Sequence, residues 1–159
     1  DVYEAMIDQS ASAGAFGHGY TYSGHPVACA VALRVLEIYD RDEIFDRAST
    51  TGKYLQEQLS QFSSHPLVGE VRGSGLLAAL ELVPNKEFNH QFKDGKVGGV
   101  AQKMAQDNGL LIRTVAGSSI GICPPLIITN NQIDELIDKL GDALDKTFQY
   151  CQTYNLLTQ

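Results

Sequence analysis

The chain has 159 residues, 43% of them hydrophobic and 19% charged, with a formal net charge of -7 at pH 7 and a pI near 4.9. A domain of about 150 residues buries roughly two-thirds of its unfolded surface, so one real core is within reach and a disordered chain is not expected. The acidic balance argues against nucleic acid and anionic membrane as partners, because the summed field repels both.

Residues 1–16 are rich in Ala, Ser and Gly without a long period and predict a helix end followed by a loop. Next comes His18-Gly19-Tyr20-Thr21-Tyr22-Ser23-Gly24-His25-Pro26-Val27, which gathers aromatic, hydroxyl and glycine residues ahead of a helix. Ser23 or Gly24 can begin that helix, and Pro26 suits its first turn. The run Ala28, Ala30, Val31, Ala32, Leu33, Val35, Leu36 and Ile38 is apolar on nearly all sides, as in a helix buried between two bodies. After a break at Asp40-Arg41-Asp42-Glu43, the residues Ile44, Ala48, Tyr54, Leu55, Leu59 and Phe62 recur at helical spacing, and His65-Pro66 stops the helix.

Val68 to Gly75 and Leu76 to Val83 read as two strands around a glycine-marked turn or bulge. Pro84 to Gly99 is polar and reads as an exposed connection, and Val97 to Asn108 as a helix stopped by Asn108-Gly109. Leu110 to Arg113 and Ile120 to Cys123 are short apolar runs separated by Ala116-Gly117-Ser118-Ser119, which predicts a hairpin. In the last helix Thr129 or Asn130 is the N-cap, and Ile133, Leu136, Ile137, Leu140, Leu144 and Phe148 form the apolar face. This order of elements predicts an α+β or α/β layering around one small sheet.

Cys29, Cys123 and Cys151 are odd in number and lack CxxC spacing, which suggests neither a disulfide framework nor a zinc site. Cys29 and Cys123 fall in apolar runs, where thiols act as small hydrophobes, and a reducing cytoplasm fits. No apolar stretch reaches the roughly 18 residues of a membrane span, and no signal-peptide pattern opens the chain.

Thr21 is flanked by glycine-bearing turn residues, so its hydroxyl and nearby N–H groups could face a phosphate; alternatively it belongs to a Ser/Thr-rich capping turn. Arg113 adjoins a short apolar run, so its guanidinium must reach water, pair with a neighbouring acid, or grip a carboxylate bidentately. His18 and His25 have no nucleophile or carboxylate partner in sequence and read as packing and hydrogen-bonding residues. No GxGxxG, P-loop lysine, HExxH, acidic cluster or nucleophile elbow is present, which leaves no motif for a metal or serine hydrolase.

Residues 18–27, together with Gly109-Leu110-Leu111-Ile112-Arg113 and Ile120-Gly121-Ile122-Cys123-Pro124-Pro125-Leu126-Ile127-Ile128-Thr129, resemble the class III (omega-type) aminotransferases. The resemblance covers nearly all of the chain. It implies an α/β fold, that of fold-type I transferases using pyridoxal 5'-phosphate. Residues 1–24 would be the end of the large cofactor-binding domain with its phosphate loop, residues 25–40 an interdomain helix and residues 41–159 the C-terminal small domain.

The implied reaction moves an amino group between an ω-amino acid or amine and a 2-oxo acid such as pyruvate, in a homodimer that shares its active sites. Thr21 would bind the phosphate of the cofactor in the neighbouring subunit, Tyr20 would lie near that cofactor, and Arg113 would bind the substrate α-carboxylate. Arg72, before Gly73-Ser74-Gly75, matches a further motif whose neighbours are mainly structural. The family's Gly-Asp turn is replaced here by Ala116-Gly117-Ser118-Ser119, which bears on the mobility of Arg113.

In the family the lysine that holds the cofactor as a Schiff base precedes the phosphate-loop threonine, and none of the twenty residues before Thr21 is lysine. No catalytic residue is therefore assigned. The expectation is the C-terminal portion of a longer enzyme, inactive alone, cytoplasmic, with no metal. An aminomutase or decarboxylating transaminase of the same superfamily, or a non-catalytic dimerisation module, are the alternatives.

Overall fold

Four strands, β1 (Val68–Ser74), β2 (Leu77–Leu82), β3 (Arg113–Val115) and β4 (Ser119–Ile122), form one antiparallel sheet in the order β1-β2-β4-β3. They belong to a computed structural model that describes residues 1–87, 92 and 95–158 and divides into two units, Asp1–Asp40 and Arg41–Gln159.

Side chains alternate along a strand and directly paired residues share a face, so the register sorts the second unit. Val71, Leu80, Ile120 and Thr114 lie across the sheet in one row, with Ala78 paired to Ile122 alongside; Leu80 and Ile120 are fully buried. The opposite face carries the row Arg72, Ala79, Gly121, Arg113 and the row Glu70, Glu81, Ser119, Val115. A bulge between Val68 and Glu70 sets this phase. It lets Val68 and Val71, three residues apart, both face the core, and it turns Glu70 outward. Gly69 occupies the bulge because a Cβ there would lie 2.7 Å from Val83 Cγ1.

Three helices cover the core face: α3 (Ile44–Ser60), α4 (Lys96–Asp107) and α5 (Asn130–Thr153). The expected apolar faces are the ones buried. Leu55 and Leu59 of α3 and Ile133, Leu140 and Leu144 of α5 are fully enclosed. Thr129 caps α5 in a reciprocal box with Gln132, satisfying orphan donors at both residues. A 3-10 turn over Gln61–Ser64 follows α3, and His65 is extended ahead of Pro66 as the sequence predicts. Helix α3 meets the β1–β2 turn closely. Gln56 Nε2 donates to Gly75 O at 2.8 Å and Leu77 O at 3.1 Å, and a Cβ on Gly52 would sit 2.6 Å from the Gly75 backbone.

Several expectations need correction. Residues 1–16 are not mainly loop: α1 spans Val2–Ala13, started by a capping box of Asp1 and Glu4 and ended at Gly14 with φ 83°. Helix α2 has Pro26 in its first turn as expected, but it begins there and not at Ser23 or Gly24, which belong to the preceding turn, and none of its residues to Arg41 is buried. Two helices in a 40-residue unit have too little surface to enclose a core. Cys29 and Cys123 are exposed, and only Cys151 behaves as a buried small hydrophobe. The connection after β2 is not wholly exposed, since Pro84 and Phe92 are buried; residues 88–91 and 93–94 of that stretch lie outside the described residues.

The strand expected over Leu110–Arg113 starts only at Arg113. The preceding residues close α4 instead: Gly109 has φ 77°, its N–H donates to Gln106 O at 3.0 Å, and Leu110 N–H donates to Ala105 O at 2.8 Å. That pairing is the Schellman arrangement, and it commits the Leu110 amide to the helix end.

Adjacent glycines in α4 give a stability test with opposite signs. A Cβ on Gly99 meets nothing within 4 Å, whereas one on Gly98 would lie 2.5 Å from Thr114 Cγ2 and 3.0 Å from Gly117 O. Gly99→Ala should stabilise the chain by about 0.5–1 kcal/mol through helix propensity. Gly98→Ala gains the same propensity but overpacks the α4–β3 contact, at a cost of roughly 1–3 kcal/mol, so a net loss is expected. Denaturant unfolding of both variants checks the pair, and equal signs would contradict the contact.

His65 gives a pH test. Its Nδ1 accepts from Leu67 N–H at 3.1 Å, its Nε2 lies 3.3 Å from Asp145 Oδ1, and its ring stands edge-on to Phe148 at 6.1 Å. Burial lowers the imidazole pKa below its ordinary value, against the opposing pull of Asp145. The unfolded chain therefore binds the proton first, and stability should fall as pH drops below about 6.5 towards the lowered folded value. Unfolding midpoints at pH 7.5 and 5.5 should differ more in the parent than in His65→Asn.

Candidate functional site

In residues 1–40 the sequence between the helices folds into a tight turn. Ser23 N–H donates to Tyr20 O at 2.9 Å, Ser23 Oγ accepts from Tyr20 N–H at 2.8 Å, and His25 N–H donates to Tyr22 O at 3.2 Å. The serine side chain thus closes the turn on the backbone of Tyr20, the behaviour that makes serine a turn residue. Gly24 takes φ 73°, a conformation glycine adopts without strain, just before α2. His18 stands edge-on to Tyr20 with ring centroids 5.4 Å apart, and Tyr22 to His25 at 6.5 Å. Both histidines are therefore ring partners of the turn's tyrosines.

Thr21 lies in this turn, exposed, and neither its hydroxyl nor its N–H is engaged by any described residue. The turn is Ser/Thr-rich as the local alternative expects, and Ser23 rather than Thr21 makes the side-chain bond that closes it. Helix α2 follows, and its first N–H groups have no intrahelical acceptor, so this end of the helix carries partial positive charge. A free hydroxyl, free amides and a helix start are neutral donors that fit the acceptor oxygens of a phosphate. Tyr20 adds a ring that is 76% exposed beside them. No lysine lies in this unit, the first in the chain being Lys53.

In residues 41–159 Arg113 opens β3 on the outer face of the sheet. Its guanidinium is exposed and forms no hydrogen bond or ion pair with any described residue. The edge-strand alternative, an arginine satisfied by a neighbouring acid, describes Arg72 instead. Arg72 Nη2 lies 2.9 Å from Glu81 Oε2 and Nη1 2.9 Å from Glu70 Oε2, and Ser119 Oγ donates to the same Glu81 carboxylate at 2.9 Å. The hydrogen bond that Arg72 donates to Glu81, helped by the carboxylate's charge and opposed by burial, raises the Arg72 pKa above its ordinary value. Arg72 is held within the sheet, and Arg113 is free to meet an anion.

Beside Arg113 a mainly apolar groove of about 600 Å³ runs between Leu110–Ile112, the Cys123-Pro124-Pro125 segment and the start of α5. The hairpin turn next to it is strained. Ala116, which is not glycine, takes φ 39°, and the Ser118 hydroxyl is buried with no hydrogen-bond partner among the described residues. The structure thus places Thr21 and Tyr20 in one turn and Arg113 in the other unit. It also reveals Gln102, whose side chain binds Thr114 next to Arg113, a contact that nothing in the sequence pattern signals. Among the described residues no group of His, Cys, Asp and Glu could hold a metal ion, and no helix is long and apolar enough to cross a membrane.

A model of the family described as aminotransferase class-III matches residues 2–144. The chain is 42% identical over 148 residues to a probable gamma-aminobutyrate transaminase 3, mitochondrial, of Oryza sativa subsp. indica, spanning 92% of this chain and 29% of that relative. It is 44% identical over 147 residues to the putrescine–pyruvate aminotransferase of Pseudomonas aeruginosa, spanning 92% of this chain and 32% of the relative. The solved omega transaminase of Pseudomonas jessenii in complex with PMP superposes with a TM-score of 0.83 at 40% identity, covering 94% of this chain and 33% of that one. The chain therefore spans about a third of the length of these relatives. With the same mixed α/β fold and more than a third of its residues identical to theirs, the chain belongs to the class III aminotransferase family, whose fold is of type I.

Proposed function

We propose that these residues form the C-terminal part of a pyridoxal-phosphate-dependent aminotransferase that moves an amino group between an ω-amino acid or amine and a 2-oxo acid such as pyruvate. The observation that carries this reading is the exposed Arg113 guanidinium on the outer face of the sheet, which no described residue pairs. Names of relatives support it: one is a probable gamma-aminobutyrate transaminase, one a putrescine–pyruvate aminotransferase, and one an omega transaminase solved with PMP.

Under this proposal residues 1–24 close the large domain, residues 25–40 link it to the small domain, and residues 41–159 are the small domain. Bound cofactor would supply the electron sink for the transfer. Thr21, with the amides of its turn, would hold the phosphate of a cofactor in the neighbouring subunit of a homodimer, and Tyr20 would line its edge. The exposed apolar residues of α2, among them Val27, Val31, Leu33 and Leu36, suit a segment covered in that larger assembly. Arg113 would take both oxygens of the acid substrate's carboxylate and orient its reacting carbon. The covalent lysine would come from another part of the parent protein, so the 159 residues alone would not transaminate. The cytoplasm is the compartment we propose, on the thiol content, although the rice relative is named mitochondrial.

Thr21→Ala in the full-length dimer should weaken cofactor binding without unfolding the protein. One hydrogen bond to a charged group is worth roughly 1.5–3 kcal/mol, or about a tenfold to hundredfold loss of affinity. Titration of the apoprotein with cofactor decides it, and unchanged affinity would remove Thr21 from the site.

Arg113→Ala should separate the two half-reactions. Loss of a bidentate contact in a desolvated site should cost about 2–5 kcal/mol in kcat/KM for pyruvate, while an amine lacking a carboxylate should change far less. Cofactor absorbance followed in each half-reaction measures both, and an equal loss would make Arg113 structural.

A further inference from the structure

We propose that Gln102 of α4 is a positioning residue for Arg113, fixing the edge strand that carries the guanidinium and so setting selectivity for acid over amine substrates. The inference rests on the reading of Arg113 as the carboxylate-binding residue.

Strand β3 has three residues and lies at the sheet edge, with β4 as its only strand neighbour among the described residues. A strand this short has few ladder bonds to define where it sits. Its central residue, Thr114, gives its N–H not to a strand but to Gln102 Oε1 at 3.0 Å, and its hydroxyl donates to the same oxygen at 2.9 Å. One helical turn earlier Gly98 leaves room for the threonine methyl, since a Cβ there would stand 2.5 Å from Thr114 Cγ2. Positions 98 and 102 are four apart and share a helix face. Amide, hydroxyl and methyl of Thr114 are therefore all located by α4.

The hairpin turn provides no such hold. Ala116 has positive φ and the Ser118 hydroxyl is buried and unpaired, so this turn costs free energy where it bends. Arg113 precedes Thr114 directly and projects from the opposite face. Any rotation or slide of β3 swings the guanidinium, and a bidentate grip tolerates little displacement. Gln102 also occupies an outward amide of an edge strand, which keeps that edge from pairing with another chain.

Gln102→Met keeps side-chain length and removes the acceptor. In the full-length enzyme it should raise KM for pyruvate about tenfold with little change in kcat, and leave the amine half-reaction within about twofold. Gln102→Glu restores an acceptor oxygen at the same reach and should bring the pyruvate KM back towards the parent value. In the 159-residue chain, hydrogen exchange of the Thr114 amide should accelerate in Gln102→Met and slow again in Gln102→Glu, a readout independent of activity. Thr114→Val, which replaces the hydroxyl by a methyl group and leaves the backbone amide, should raise the pyruvate KM about threefold and decides the matter if Gln102→Met does not fold.

Combining Gln102→Met with Arg113→Ala should add no further loss for pyruvate, because both act through one guanidinium. If Arg113→Ala shows the acid-selective loss while Gln102→Met and Thr114→Val leave the pyruvate KM unchanged, the positioning role is overturned and the reading of Arg113 stands. If Arg113→Ala shows no acid-selective loss, the reading of Arg113 falls and takes this inference with it. Equal losses for acid and amine in Gln102→Met would show a structural defect and overturn it too.

Discussion

The four-stranded sheet of residues 41–159 buries mainly one face, because the three helices described beside it pack on the side of Val71, Leu80, Ile120 and Thr114. A half-covered antiparallel sheet is stable when every second side chain is apolar, and the outer residues are then free for polar work. The bulge at Gly69 keeps β1 in phase with that rule. Without it, Val68 and Val71 would point to opposite faces, and either an apolar side chain would face outward or Glu70 would enter the core. The position of Arg113 on the outer face is a consequence of the same alternation, since its partner Gly121 lies between the buried Ile120 and Ile122.

Two arginines end one outer row of the sheet, and their chemistry differs because of what stands two residues away. In β1 the order Glu70-Val71-Arg72 puts an acid on the same face as the guanidinium, and Glu81 approaches from the next strand. In β3 the order Arg113-Thr114-Val115 offers only an aliphatic neighbour on that face. Exposed ion pairs contribute little to stability, but they occupy a guanidinium, and an occupied one is a poor receptor for a further carboxylate. The same row therefore holds one arginine that ties strands together and one available for a ligand.

The first unit follows another logic. Helix α1 is capped and α2 has a first-turn proline, yet Tyr3, Ile7, Val31 and Leu33 remain exposed. Local rules decide secondary structure in such a segment, and burial has to come from surfaces beyond its 40 residues. Within it the turn over residues 20–25 is specified by short-range bonds, above all Tyr20 with Ser23, and those bonds leave the Thr21 hydroxyl unused.

The sequence by itself determined the helices with strong apolar periods, the stop at His65-Pro66, the Thr129 cap and the pairing of two strands around a glycine-marked turn near Gly75. Each of these rests on interactions within a few residues, which local spacing encodes. It also marked Thr21, Tyr20 and Arg113 through the resemblance of two segments to a family. What only the tertiary structure decided depends on residues far apart in the chain. The start of β3 shifted because the Leu110 amide is committed to the end of α4. That Arg72 is tied into an ion-paired network emerged only when Glu81 and Ser119, from separate strands, met beside it. Gln102 gained a role because Thr114, twelve residues on, folds back to its side-chain oxygen, a contact that a linear pattern of polar and apolar residues does not record.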